Sequence, residues 1–460
     1  MSPTKSHSVP AKHRMASAVY GLSCLLLAVA ASGYAANEED PVEQTTAPTE
    51  SAPDSREEEW LQRRRQRLEN NEGDKPSKLV EVLSTVENRG FEQFISFQLE
   101  HLRFGFGKIS PVSNFTPALQ YERPRLGNTP LKLRGAAAYS ITGFQFYGVK
   151  FGSFRETAPY DFLGDSFLGA PFKFDRRSQE PTERFLYADV RYRNFPREYF
   201  FGIGPDSLKE NRTDYGLKES AFELIGGYQF TRWMAAEIRG GYLSTTVGRA
   251  NNKNVRDAQE VFNETSAPGL GGEQANYWRV DWALYLAWVG DPNLPAGQLG
   301  LRFAHFDEVD EGRFDFSRFS LDARGTVPLG SRQRTLALRF YTSGDVVNVN
   351  TPNATVPFYL MKTLGGNETL RGYQNFRFRD KNLMYLSAEY RWEATAAIEL
   401  ALFYDAGRVY EDRNDFGFRD LKSTWGFGIR AKSFRRVTLR IDIGQSPEGT
   451  LVFFAFGPSF

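Results

Sequence analysis

From about residue 115 to its end the chain alternates apolar and polar side chains with a period of two, and no run there is long and apolar enough to make a membrane-spanning helix. Trp278, Val280, Trp282, Leu284, Leu286 and Trp288 fall on one side of such a stretch; Arg279, Asp281, Ala283, Tyr285 and Ala287 fall on the other. Phe319, Leu321, Ala323 and Val327 likewise oppose Arg318, Ser320, Asp322, Arg324 and Thr326. Strands facing lipid on one side must lie in a closed sheet, because hydrocarbon offers no partner to an open edge. A soluble sandwich gives the same alternation with its faces reversed, so the pattern alone admits both. Aromatic residues at 15%, 41 glycines and a mean hydropathy of −0.47 suit strands that are apolar on one side only. A net charge of +1 gives no reason to expect nucleic-acid binding.

The first residues carry an export signal. Lys12 and Arg14 precede an apolar run from Met15 to Ala31, and Gly33, Tyr34 and Ala35 supply the small residues of a cleavage site. Residues 1–35 are therefore expected to be a cleaved signal peptide. A lipoprotein reading of the lone Cys24 is disfavoured by Gly21, which stands where a lipobox prefers leucine, and by the apolar run continuing past it. Residues 36–77 are acidic, then mixed in charge, with little to bury, and are expected to be a disordered or loosely helical periplasmic segment. Ser55 and Glu58 could cap a short helix there. Residues 78–114 mix helical spacing at Leu79, Val82, Leu83 and Val86 with a strand-like stretch from Phe91 to Phe106, and are expected to be a periplasmic lead-in or plug, or an extra strand.

The barrel expected over 115–460 has about sixteen strands, each near the length that crosses a bilayer at a tilt. Eleven precede a long gap at about 347–381, among them separate strands at 184–195 and 198–207, and five follow it. The gaps at about 155–183, 248–275 and 347–381 are expected to be extracellular, and short turns such as Gly330-Ser331 periplasmic. The last segment puts Val452, Phe454, Phe456 and Phe460 on one face, although Pro458 removes a ladder hydrogen bond near the end.

Within the gap at 347–381 lies Leu364-Gly365-Gly366-Asn367-Glu368-Thr369-Leu370-Arg371-Gly372-Tyr373. Beyond it the strand Ala396 to Tyr410 contains Phe403-Tyr404-Asp405-Ala406-Gly407, and the strand before that carries Glu389 on its polar face. This pair of segments resembles the signature of the bacterial surface antigen family, the outer-membrane barrels that include BamA, TamA and the transporters of two-partner secretion. Signal peptide, terminal aromatic and loop motif together tip the balance from sandwich to barrel. In that family the loop folds back into the barrel, and its R-G-[FY] arginine pairs with the aspartate of F-x-D-x-G. The resemblance implies that Arg371, with Gly372 and Tyr373, is the loop latch. Asp405, with Phe403 and Gly407, is then its partner on the wall and Glu389 a second acidic neighbour. It also implies that Phe456 and Phe460 belong to a C-terminal signal read by the outer-membrane insertion machinery.

The implied role is non-enzymatic: protein insertion or translocation, or lipid handling, at the outer membrane. The POTRA domains that such members carry find no convincing room before residue 115, so client delivery would need a separate periplasmic partner or the membrane lipids themselves. A passive pore or receptor is the alternative, with Asp189, Arg191, Arg193, Arg324 and Arg440 lining its wall. No catalytic residue is expected, since beyond the signal peptide only His101 and His305 remain and neither sits in a Ser/His/Asp arrangement. No metal site and no cofactor are expected either.

Overall fold

The computed structural model describes residues 94–460, apart from 114–115, 155–183, 253, 272–273, 289–293, 311, 349–350, 352–353, 396, 434–435 and 457–458. The signal peptide, the segment 36–77, the helix at Ser55 and the expected absence of POTRA domains all fall outside the described residues. The chain divides into a unit of 1–75 with 290–295 and a unit of 76–289 with 296–460, and only the second is described below.

That unit is one seventeen-stranded antiparallel sheet with a small two-stranded ribbon. Before the ribbon run β1 (Phe94–Leu99), β2 (Leu102–Gly107), β3 (Thr116–Arg123), β4 (Lys132–Tyr139), β5 (Gln145–Ser153), β6 (Arg184–Phe200), β7 (Thr213–Thr231) and β8 (Met234–Arg249). They continue as β9 (Gln274–Trp288), β10 (Ala296–Glu308), β11 (Phe316–Leu329) and β12 (Ser331–Val347). The ribbon is β13 (Lys362–Leu364) with β14 (Phe378–Asp380). The wall resumes with β15 (Asn382–Glu393), β16 (Ile398–Tyr410), β17 (Lys422–Ser433), β18 (Arg436–Ser446) and β19 (Gly449–Phe456). Each wall strand pairs with its neighbours in sequence, β12 pairing with β15 across the ribbon. Among the described residues no register joins β19 to β1 or β2.

The two faces of the sheet settle which reading of the alternation holds. On one face Trp278, Phe222, Leu224, Leu402, Tyr404, Trp425 and Phe454 are exposed, Trp425 by 63% and Leu402 by 61%. On the other, Arg191, Glu223, Arg279, Asp281, Asp322, Glu389, Asp405 and Arg430 are buried. Charges inside and aromatics outside invert a soluble protein and fit a wall that meets lipid. The sheet curls round the segment 348–381, which reaches many strands at once. Tyr359 lies within hydrogen-bond distance of Thr245 on β8 and Tyr277 on β9, and Arg379 of that segment reaches Tyr215 on β7. Arg318 on β11 donates to the carbonyl of Leu360, and Asn375 donates to the carbonyl of Pro111 between β2 and β3.

Four expectations change. The wall begins at Phe94, not at 115: of the alternatives for 78–114 the extra strand holds, and there are two, residues 94–107 forming the β1–β2 hairpin with Phe94 opposite Gly107 and Leu99 opposite Leu102. The two strands expected at 184–195 and 198–207 are one, β6, because the β6–β7 register absorbs the irregularity at Pro196 between Phe195 and Glu198. Past Phe200 the chain leaves the sheet, with Gly202 and Gly204 both at φ 102. Strands alternate in direction, so the ends of β5 and β6 that flank 155–183 lie at the end of the sheet that carries Gly330, opposite the segment 348–381. The ends of β8 and β9 that flank 250–273, by contrast, share the end of 348–381, as expected.

The fourth change is at the C-terminus. Val452 and Phe454 face outward, but β19 ends at Phe456. Phe460 does not continue that outer face. Its ring lies 4.9 Å from the guanidinium of Arg391, and Ser459 Oγ donates to Glu389 on the inner wall at 2.9 Å.

Candidate functional site: the arginine loop in the lumen

The loop is shaped by glycine before it is held by charge. Gly365 and Gly366 sit at φ 115 and 97, in the left-handed region, and reverse the chain after β13. Gly366 N–H donates to the carbonyl of Tyr373 at 3.1 Å, and Gly365 N–H to Thr369 Oγ1 at 2.9 Å. A Cβ on Gly365 would strike the Gln374 carbonyl, so the reversal requires glycine there. Leu364, Leu370, Tyr373 and Phe378 then pack on Tyr341, Leu383, Tyr385 and Val409, giving the loop its own apolar anchor on the wall.

That fold delivers Arg371 to the inner surface of β15 and β16, where it is 1% exposed. Its Nε donates to Asp405 Oδ2 at 2.8 Å and its Nη2 to Asp405 Oδ1 at 2.7 Å, a bidentate pair. Its Nη1 donates to Glu389 Oε1 at 2.5 Å, and its Nη2 lies 3.4 Å from Ser387 Oγ. The guanidinium is centred 3.6 Å from the ring of Phe403, a cation–π contact that also shields the pair from water. Both carboxylates are 0% exposed. Asp405 accepts further from Ser387 Oγ at 2.7 Å and lies 3.2 Å from Tyr385 OH. A buried guanidinium keeps its proton, so it needs this set of acceptors to offset its lost hydration.

The expected site residues therefore come together: Arg371 meets Asp405 and Glu389, stacks on Phe403, and is followed by Gly372 and the buried Tyr373. Gly407 lies under the loop, for a Cβ on it would come within 3.0 Å of Leu364. Gly372 passes close to β18, where Ser446 Oγ donates to its carbonyl at 2.7 Å. Gly444 on β18 faces the same crossing, since a Cβ there would run into the carbonyl of Arg371. Backbone lies almost on backbone at this point, which explains two glycines that face each other. Phe456 closes β19, and Phe460 sits apart from the outer face.

Sequence reasoning missed how far the charge network extends. Glu389 also accepts from Arg391 Nε and Arg430 Nη2, both at 2.8 Å, and Arg430 continues to Glu399 at 3.1 Å. Asp442 lies 3.7 Å from Arg371 and accepts from Arg440, whose other amine donates to the carbonyl of Asn367 at 2.9 Å. Alternation in the sequence, with Val437, Leu439, Ile441 and Ile443 opposing Thr438, Arg440 and Asp442, puts Arg440 and Asp442 on the polar face; what it could not supply was the stagger that brings β18 level with the loop. A second tether was missed altogether. Arg377 donates to both carboxylate oxygens of Glu448, between β18 and β19, and to Ser207, between β6 and β7. The wall residues considered for a pore are paired too: Arg191 with Glu223 at 2.8 Å, Arg193 with Glu219, and Arg324 with Asp322 at 2.6 Å. His305 faces outward beside Ser317.

Residues 297–446, which include the loop, both carboxylates and β18, match a family description. That description is the Omp85 superfamily domain. This match agrees with the BamA- and TamA-like signature at Arg371 and Asp405. In fold the chain is similar to BamA from Haemophilus ducreyi lacking POTRA domains 1-3. The TM-score is 0.53 at 11% identity, over 83% of this chain and 78% of that one. It is also matched to CdiB from Acinetobacter baumannii and from Escherichia coli, each at 11% identity over 78% of this chain. The TM-scores are 0.44 and 0.45, and the match spans 60% and 62% of those chains. No curated protein sequence matches the chain. The chain thus folds as the wall of a transmembrane β-barrel and carries a region similar to the Omp85 superfamily domain.

Proposed function

We propose that this barrel is a non-enzymatic device for inserting or translocating polypeptides at the outer membrane, with the Arg371 loop as its latch. The observation that carries the reading is the docked loop. A cation is held by two fully buried carboxylates and an aromatic ring, on a segment that crosses the lumen and is tied by Arg377 to opposite sides of the wall. A lumen filled this way suits a barrel that stays shut until something moves the loop, and suits a steady conduit poorly.

The test combines conductance with capture. In planar bilayers the wild type should give low, intermittent conductance, and Arg371→Ala should give more frequent and larger openings. A photo-crosslinking residue at Phe454 in intact cells should capture outer-membrane polypeptides, and fewer of them in the Arg371→Ala background. Large steady wild-type conductance with no polypeptide captured would mean a passive pore and defeat the proposal.

A further inference from the structure

The number of strands carries a consequence of its own. Every neighbouring pair of wall strands is antiparallel, so direction alternates along all seventeen, and the first and last, β1 and β19, run the same way. A seam between β1 and β19 would be parallel. A seam between β2 and β19 would be antiparallel, and setting β1 aside from the seventeen leaves an even sixteen. Yet the edge of β2 that such a seam needs is the edge β1 holds, through the full register from Phe94–Gly107 to Leu99–Leu102.

Two further observations bear on which partner belongs there. The outward residues of β2 are Leu102, Phe104 and Phe106, and those of β19 are Val452 and Phe454. An antiparallel pairing of even with even positions keeps both apolar faces toward lipid, so β19 fits the β2 edge without turning a face inward. The β1–β2 hairpin is also short, six residues a side, turning at Glu100 with φ 47. With β1 in place, β1 and β19 each present an unpaired edge among the described residues; with β2 on β19, the sixteen strands would have none. Hydrocarbon penalises the first arrangement through every unpaired backbone group.

We propose that β1 is an exchangeable strand: it covers the β2 edge in the conformation described here and yields that edge to β19 when the sheet closes in the membrane. Exchange also switches the end from which the preceding chain approaches the wall. With β1 paired, the chain enters at Phe94, at the end of the arginine loop; with β1 released, the wall begins at Leu102, at the end of the short turns. The inference does not depend on the latch or on any transported client.

Cysteine pairs on a Cys24→Ser background separate the arrangements. Phe97→Cys with Phe104→Cys, opposite each other in the register, reports β1 on β2. Phe104→Cys with Thr450→Cys, Val452→Cys or Phe454→Cys in turn reports β2 on β19, and Phe97→Cys with the same three reports β1 on β19. On moving the full-length protein from detergent into lipid vesicles, the first pair should lose disulfide yield several-fold and one β2–β19 pair should gain it. Locking the first pair before reconstitution should delay appearance of the heat-modifiable folded band until reductant is added. Full yield of the first pair in vesicles with no β2–β19 disulfide would overturn the proposal. So would any β1–β19 disulfide there, which would mean a seventeen-stranded closure.

Discussion

Removing the guanidinium of Arg371 is the perturbation with the most legible consequence, because its two acidic partners are not left in the same state. Glu389 keeps Arg391 and Arg430, each at 2.8 Å. Asp405 keeps only neutral hydrogen bonds from Ser387 and neighbours, since Arg371 is the one cation paired with it among the described residues. Arg371→Ala therefore strands a fully buried carboxylate, a change that costs about 3–5 kcal/mol. If that loss falls on the unfolding barrier, the rate rises by roughly 10²- to 4 × 10³-fold, each factor of ten being about 1.4 kcal/mol. The assay is the decay of the compact band on semi-native gels at fixed temperature, read beside limited proteolysis of 362–380. Arg371→Lys should fall between, because an ammonium cannot make the bidentate pair. Unchanged decay and unchanged loop protection in Arg371→Ala would refute the reasoning.

Three more outcomes follow from particular contacts. Gly444→Ala puts a methyl group against the Arg371 carbonyl and should expose the loop to protease, whereas Gly248→Ala, with open space at its Cβ, should not. Tyr404→Arg, on the outward face near the middle of β16, should cost about 2–4 kcal/mol in folding into lipid vesicles. Asp380, in the ribbon beside Glu411, has its carboxyl pushed up to about 6 by burial. The folded state therefore keeps a proton that the unfolded chain has released, so stability falls as pH rises from about 4 to about 6. Above that window the ionised group costs on the order of 2–3 kcal/mol. Asp380→Asn should flatten the change in melting temperature between pH 4 and 6 and raise it at pH 7.5.

The site was more legible than the wall around it. Arg371 and Asp405 stood out through the resemblance of R-G-Y and F-x-D-x-G to a paired family signature, and the structure supplies its physical content: glycines that fit a tight reversal, and a phenylalanine two residues before the aspartate that stacks on the cation. Glu389 followed from alternation alone. The contribution of Asp442 and Arg430 did not, because a period of two says which face a side chain takes and nothing of its height relative to the next strand. The gap at 155–183 shows how one local misreading spreads. Reading Pro196 as a break placed eight strands between that gap and the arginine loop; the structure has seven, β6 to β12, and an odd number reverses the end. Phe460 was misplaced for a related reason: alternation was carried across Pro458, whereas the strand stops at Phe456.

The most direct test of the central claim, that the loop is held inside the barrel by Arg371 and Asp405 acting as a pair, is a double-mutant cycle on unfolding free energy in lipid vesicles. Arg371→Met and Asp405→Leu should each be costly alone and should recover much of the loss together, with a coupling of about 2 kcal/mol or more. Additive effects, with a coupling near zero, would contradict it.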